Sequence, residues 1–218
     1  TDQVAALTLA QVQGLTTDQV FALQTNQVAA MSSAQIGALT TQQTAGLTTA
    51  NVAAMTSTQV LAMVDADLRV LTNEQLAAMN TANIAALRVA QIAQLTTAQT
   101  SGLATSRLVA LTVDQVVALT TDQVSTLTTA QLSAMGTAQI AALETRDVAV
   151  LTTTQLKGMS TTNFTALTGD QVAALTPNQI SNLTTTAIDA LTTVQAAALT
   201  SAQTTVLTSK QSQAISTA

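Results

Sequence analysis

The sequence contains no cysteine, histidine, tryptophan or tyrosine, and only one proline and two phenylalanines in 218 residues. Without cysteine there is no disulfide, no thiolate ligand and no thiol nucleophile. Without histidine the commonest general base and metal ligand is missing, and no Ser–His–Asp set can be built. Six Lys and Arg stand against eleven Asp and Glu, a net charge of −5. That balance offers no basic surface for nucleic acid or an anionic membrane. Thr, Ser, Gln or a charged residue interrupts every eight residues, so no run of about 18 apolar residues is available to insert into a membrane. The seven glycines are too scattered for a phosphate-binding loop. No cofactor, metal or catalytic residue is expected. No leader or initiator Met is evident, and the chain opens and closes inside its repeat, as a processed product or a piece of a longer chain would.

What the sequence does have is an octapeptide, repeated without a slip from Leu7 to Leu207. The stretch Thr168-Gly169-Asp170-Gln171-Val172-Ala173-Ala174-Leu175 is one copy. The eighth position is Leu, Met or Ile throughout, and all six methionines fall there, an exchange that a packed site tolerates. The fifth position is Val, Ile, Leu or Phe except at Thr44, Thr100, Ala196, Thr204 and Ser212. The first is mostly Thr or Ser and the fourth mostly Gln. Thr-x-x-Gln before an apolar residue is the capping-box pattern, in which the Thr hydroxyl and the Gln side chain each satisfy a free backbone N–H at a helix start. One match means little; the same match in register along the chain is strong. Pro177 directly follows Thr176, at the first helical position, where a missing N–H costs nothing. Nine of the eleven acids, among them Asp18, Asp65, Asp67, Glu74 and Asp147, fall in a first turn, where the helix dipole favours them.

An octad also suits a β-solenoid, so the two periods must be weighed. On a helix, at about 100° per residue, the fifth and eighth positions lie about 60° apart and the third and sixth lie opposite. Asp18, Asp114, Asp122, Asp170, Arg69 and Lys157 occupy those opposite positions. On a strand the same charges would share faces with the hydrophobes. Ala, Leu and Gln also favour helix over strand. One continuous helix fails, because eight residues turn through about 800° and the stripe would drift by about 80° per copy. The expectation is therefore an all-α solenoid of very short helices, one per octad, continuous over 1–218. A β-solenoid with coils built from octads is the alternative. Helices this short are unstable alone, so the copies must stack. The small residue before each Leu, such as Ala30, Gly46, Ala54 and Gly158, lets neighbouring turns approach.

The irregular copies are few. Val64–Leu71 lacks both Thr and Gln. Its Asp65 and Asp67 resemble half of a calcium loop, but the Gly and the remaining oxygen ligands of such a loop are missing, and repeat drift explains the pair. Arg88, Arg107 and Glu144 also replace consensus residues, and surface salt bridges account for them. Asn163-Phe164-Thr165 and Asn182-Leu183-Thr184 match the glycosylation pattern, yet both overlap core positions, which marks them as chance. The apolar stripe fades after about residue 200, at Thr204, Ser212 and Ala214.

Copies such as Leu-Thr-Thr-Asp-Gln-Val (119–124) and Leu-Thr-Thr-Ala-Gln-Leu (127–132) resemble repeat tracts of giant secreted or cell-surface bacterial proteins, adhesin-like or matrix proteins among them. The resemblance spans the chain and implies an extended stalk or filament-forming segment with no catalytic role, outside a bacterial cell. An open solenoid exposes unfinished ends, so the expected partner is another copy, end to end or laterally, or more of the same repeat in a parent chain. A second reading makes regular Thr rows a binding face for ice or a glycan lattice, which needs flat ladders of the β type. A third, an enzyme, has no residue set behind it.

Overall fold

A computed structural model of the protein describes residues 2–215. Among them are 27 short helices, from α1 (Asp2–Ala5) to α27 (Ser209–Ile215), and no strand. The all-α solenoid of short helices is the observed architecture.

Each helix starts as the sequence dictates. In the helix Gly169–Ala174, the Thr168 hydroxyl accepts from the Gln171 backbone N–H at 3.1 Å. The Thr168 N–H in turn donates to Gln171 Oε1 at 2.7 Å. Pro177 sits at the first position of Pro177–Ser181, behind the capping residue Thr176. The helix ends without a left-handed residue, for no described residue has positive φ. Instead, Leu175 (φ −60°, ψ 138°) and Thr176 (φ −71°, ψ 154°) are both extended. The β-branched threonine suits that backbone. The last N–H closes a tighter turn, as in Leu175 to the Val172 carbonyl at 3.2 Å. A Leu-Thr pair therefore breaks the helix and starts the next one, and glycine is not needed for it.

The contacts group into two compact units, one up to Leu111 and one from Thr112. In the first, each helix packs on the third one along. Thus α2 (Leu9–Gln13) lies against α5 (Ser33–Gly37), α5 against α8 (Ser57–Ala62), and α8 against α11 (Thr81–Ala85). A second row runs through α6 (Thr41–Ala45), α9 (Asp65–Val70) and α12 (Val89–Gln94). The second unit has the same spacing. There α16 (Thr121–Ser125), α19 (Thr145–Ala149), α22 (Gly169–Ala174) and α25 (Thr193–Ala197) pack in succession.

Within each unit the fifth and eighth positions fill the interior. Val12, Val52, Met79, Ile84, Leu132 and Ile180 are fully enclosed, and Met63 and Leu119 nearly so. Burial of such side chains contributes about 1.5–3 kcal/mol each. Thr100, a polar residue in that row, bonds its hydroxyl to the Thr96 carbonyl at 3.1 Å. The small residue before each Leu does allow close approach. A methyl on Gly46 would lie 2.6 Å from Thr17 Cγ2, and one on Gly158 3.0 Å from Thr129 Cβ.

Candidate functional site

The fourth residue of the octad is where one superhelical turn meets the next. Its Oε1 is fixed by the capping box, and this leaves the amide nitrogen pointing out of its own helix. Gln43 Nε2 donates to the carbonyls of Val12 (2.8 Å), Gln13 (3.2 Å) and Leu15 (2.7 Å). Those are the last carbonyls of α2 and its connection; the Val12 carbonyl also takes the Leu15 N–H at 3.2 Å and has a second lone pair to offer. Gln179 does the same to Val148, Ala149 and Leu151, at 3.2, 3.1 and 2.7 Å. The shortest bond regularly reaches the Leu or Met 28 residues back, as in Gln59 to Met31 and Gln155 to Leu127, both at 2.7 Å. With octads as the unit, a 28-residue offset means that one turn takes about three and a half helices. Gln43, Gln59, Gln155 and Gln179 thus each close a start on their own helix and an end on the turn before.

The substitutions at this position show what it demands. Asn51 and Asn83 are too short for the capping box but still donate to Leu23 (3.1 Å) and Met55 (2.9 Å), 28 residues back. Asn163 reaches Leu132, Ser133 and Met135 at 3.0–3.1 Å. Its amide nitrogen is therefore committed, and the first glycosylation pattern is buried. Asn182 of the second pattern is half-buried, with its amide bonded to the Asn178 carbonyl at 2.9 Å. Arg107 donates from Nε to the Met79 carbonyl at 2.8 Å, again 28 back. A donor is the common property.

Three copies break that rule: Ala187 has no donor to offer, and two others carry an aspartate. Asp67 is wholly buried, and neither of its carboxyl oxygens has a hydrogen-bond partner. Asp147 is equally buried; Oδ1 accepts from the Thr121 hydroxyl at 2.9 Å, while Oδ2 has no partner. Burial pushes both carboxyls up from their usual range. Beside Asp67, the Val64 backbone and then the Thr44 hydroxyl act in the opposite direction, although neither carboxyl oxygen is within ordinary hydrogen-bond geometry of a donor. At Asp147 the Thr121 bond and then Arg146, 3.8 Å away, moderate the shift.

The remaining irregular residues are at the surface. Asp65 is paired with Arg88 at 2.9 Å, both partly exposed, so Asp65 and Asp67 do not converge on a common point. Arg88 also reaches the Met63 carbonyl at 3.1 Å, and Glu144 pairs with Arg146. Threonine hydroxyls at helix starts turn back onto their own helices. Among the described residues no cluster of three or more His, Cys, Asp or Glu is arranged to hold a metal, and no helix is long and apolar enough to cross a membrane. An open depression of about 420 Å³ is lined by Val117, Thr120, Thr121, Asp122 and Arg146, and brings no nucleophile to a base.

Sequence reasoning read the fourth position as half a capping box and missed the turn-to-turn bond. One signal was there. A capping box accepts Glu as readily as Gln, yet no copy has Glu at that position. Glu has no hydrogens to donate to a carbonyl.

A family model described as an ALTTAQ repeat matches residues 17–49, 28–65, 60–97 and 140–177, together more than half of the chain. No curated protein matches the chain.

Proposed function

We propose that this chain, which belongs to the ALTTAQ repeat family, is a non-catalytic structural protein: a stalk or filament-forming segment that extends by adding further turns of the same coil. The observation behind this reading is a set of preset donors and acceptors. Gln11, Gln19 and Gln27 have Oε1 held at 2.8–2.9 Å by the N–H of Thr8, Thr16 and Gln24, as in every capping box. Their amide nitrogens meet no carbonyl among the described residues. The carbonyls of Leu191, Leu199 and Leu207 hold the place where Leu183 receives Gln211 at 2.9 Å, and receive no such donor among the described residues. A second copy, or a further stretch of the repeat in a longer chain, would pair these rows in the register already used inside each unit. The donors need no rearrangement, which keeps the entropic cost of association low. Placement outside a bacterial cell is supported by the resemblance of the octads to surface-protein tracts, and self-association is the partner we assign.

The test is sedimentation and negative-stain microscopy of the purified protein over a wide concentration range. Rods longer than one chain are expected, and the triple change Gln11→Glu, Gln19→Glu, Gln27→Glu should shorten them to single chains by setting carboxylates against carbonyls. Dispersed single chains at every concentration would refute stacking.

A further inference from the structure

Asn83 and Asp147 occupy the same place in their octads and nearly the same surroundings. Asn83 Oδ1 accepts from the Ser57 hydroxyl, 26 residues back, at 3.0 Å, and Nδ2 donates to the Met55 carbonyl, 28 back, at 2.9 Å. Asp147 Oδ1 accepts from the Thr121 hydroxyl, also 26 back, at 2.9 Å. That leaves Oδ2 in the position of the asparagine nitrogen, buried and without a partner, in the copy whose counterpart carbonyl is Leu119. A carboxylate oxygen beside a carbonyl oxygen is a repulsive contact between two acceptors. A carboxylic acid has the shape of the amide and one hydrogen to donate. Asp67 holds the same octad position, with Leu39 as the residue 28 back; it is also fully buried, and both of its oxygens lack a partner.

We propose that Asp67 and Asp147 are neutral carboxylic acids in the folded protein, each donating its proton to the carbonyl 28 residues back, so that two of the turn-to-turn contacts hold in acid and loosen when the proton is withdrawn. This holds for a single chain and does not depend on stacking.

The surrounding charges fit a proton better than a metal. Asp147 has Arg146 and Glu144 on its own segment, Asp122 on α16 and Asp170 on α22. Arg146 is paired with Glu144, so no second free carboxylate is directed at Oδ2. Asp67 has Asp65 and Arg69 on its own helix, no charge on α6, and Arg88 at the start of α12, which is taken by Asp65. A hard cation asks for six or more oxygens, and the contact on each side is a single carboxyl against a closely packed turn.

The direction with pH follows from linkage. Both carboxyls ionise at higher pH in the folded than in the unfolded chain, where an Asp titrates at about 3.9. Their stabilising contribution is complete below the unfolded value and is lost as pH rises through the folded one.

The experiment combines aspartate-selective ¹³C labelling with thermal melting from acid to neutral pH. Two carboxyl resonances should titrate above the rest and vanish in Asp67→Asn and Asp147→Asn. The wild-type Tm should fall as pH rises. Each Asn variant, which restores the donor used at Asn83, should raise Tm at neutral pH by about 3 °C, and the double variant should remove most of the slope. Ordinary titration of all aspartates, or an unchanged slope in the double variant, overturns the proposal. So does a calcium- or magnesium-dependent rise in Tm at neutral pH that both Asn changes abolish, since the carboxylates would then hold a cation in place of a proton.

Discussion

Gln11 and Gln43 stand at the same point of the same octad and build the same capping box. Gln11 is exposed, whereas Gln43 is 3% exposed and holds three carbonyls of the previous turn. The local structure is identical and the tertiary role is not. Helix starts are thus set within eight residues, and burial of the glutamine comes only once another turn lies beneath it. An amide with two hydrogens serves both states, because water or a carbonyl will accept them.

The sharpest way to break this comparison is to remove the hydrogens and keep the shape. Gln171→Glu places a charge against the carbonyls of Ile140, Ala141 and Leu143 and should destabilise by about 3 kcal/mol at neutral pH. The same change at Gln11 keeps the capping box, adds charge at a helix start, and should shift stability by less than about 0.5 kcal/mol. Native-state hydrogen exchange of nearby amides reads both locally, which matters because repeat arrays depart from two-state unfolding.

Glycine offers a second contrast. A methyl on Gly37 meets the Ala62 backbone carbonyl at 2.8 Å, while one on Gly14 meets nothing closer than 3.4 Å. Gly37→Ala should cost about 1–3 kcal/mol. Gly14→Ala should stabilise by about 0.4–1 kcal/mol by restricting the unfolded chain. Denaturant midpoints of the two variants moving in the same direction would contradict the close packing of turns.

The smallest effect tests the local half of the comparison. Thr16 caps a helix whose glutamine is exposed and Thr168 one whose glutamine is buried, with hydroxyl-to-N–H distances of 3.2 and 3.1 Å. Each Thr→Ala change should cost about 1 kcal/mol. The two values, read as melting shifts, should agree closely; a much larger loss at Thr168 would show that capping and turn contact are coupled.

Much of this was legible beforehand. The acids in first turns, Pro177 behind Thr176 and the fifth-and-eighth stripe all follow from rules acting over one or two helical turns, and the structure has them in place. The approach of turns at Gly46 was legible for the same reason, since a missing side chain marks a crowded place. Asp67 was misread. A first-turn acid is ordinary at a surface, and only the neighbouring turn makes it a buried group without a partner.

By itself, then, the sequence determined where each helix starts, where it stops and which side chains turn inward, because those choices are made by hydrogen bonds and dihedral preferences spanning three or four residues. Only the tertiary structure decided that a turn takes about three and a half octads, that the glutamine amide joins one turn to the next at a 28-residue offset, and that two aspartates lie where a donor belongs. The reason is cumulative geometry. The path of the coil adds up small bends at each Leu-Thr corner, and no single octad contains that sum.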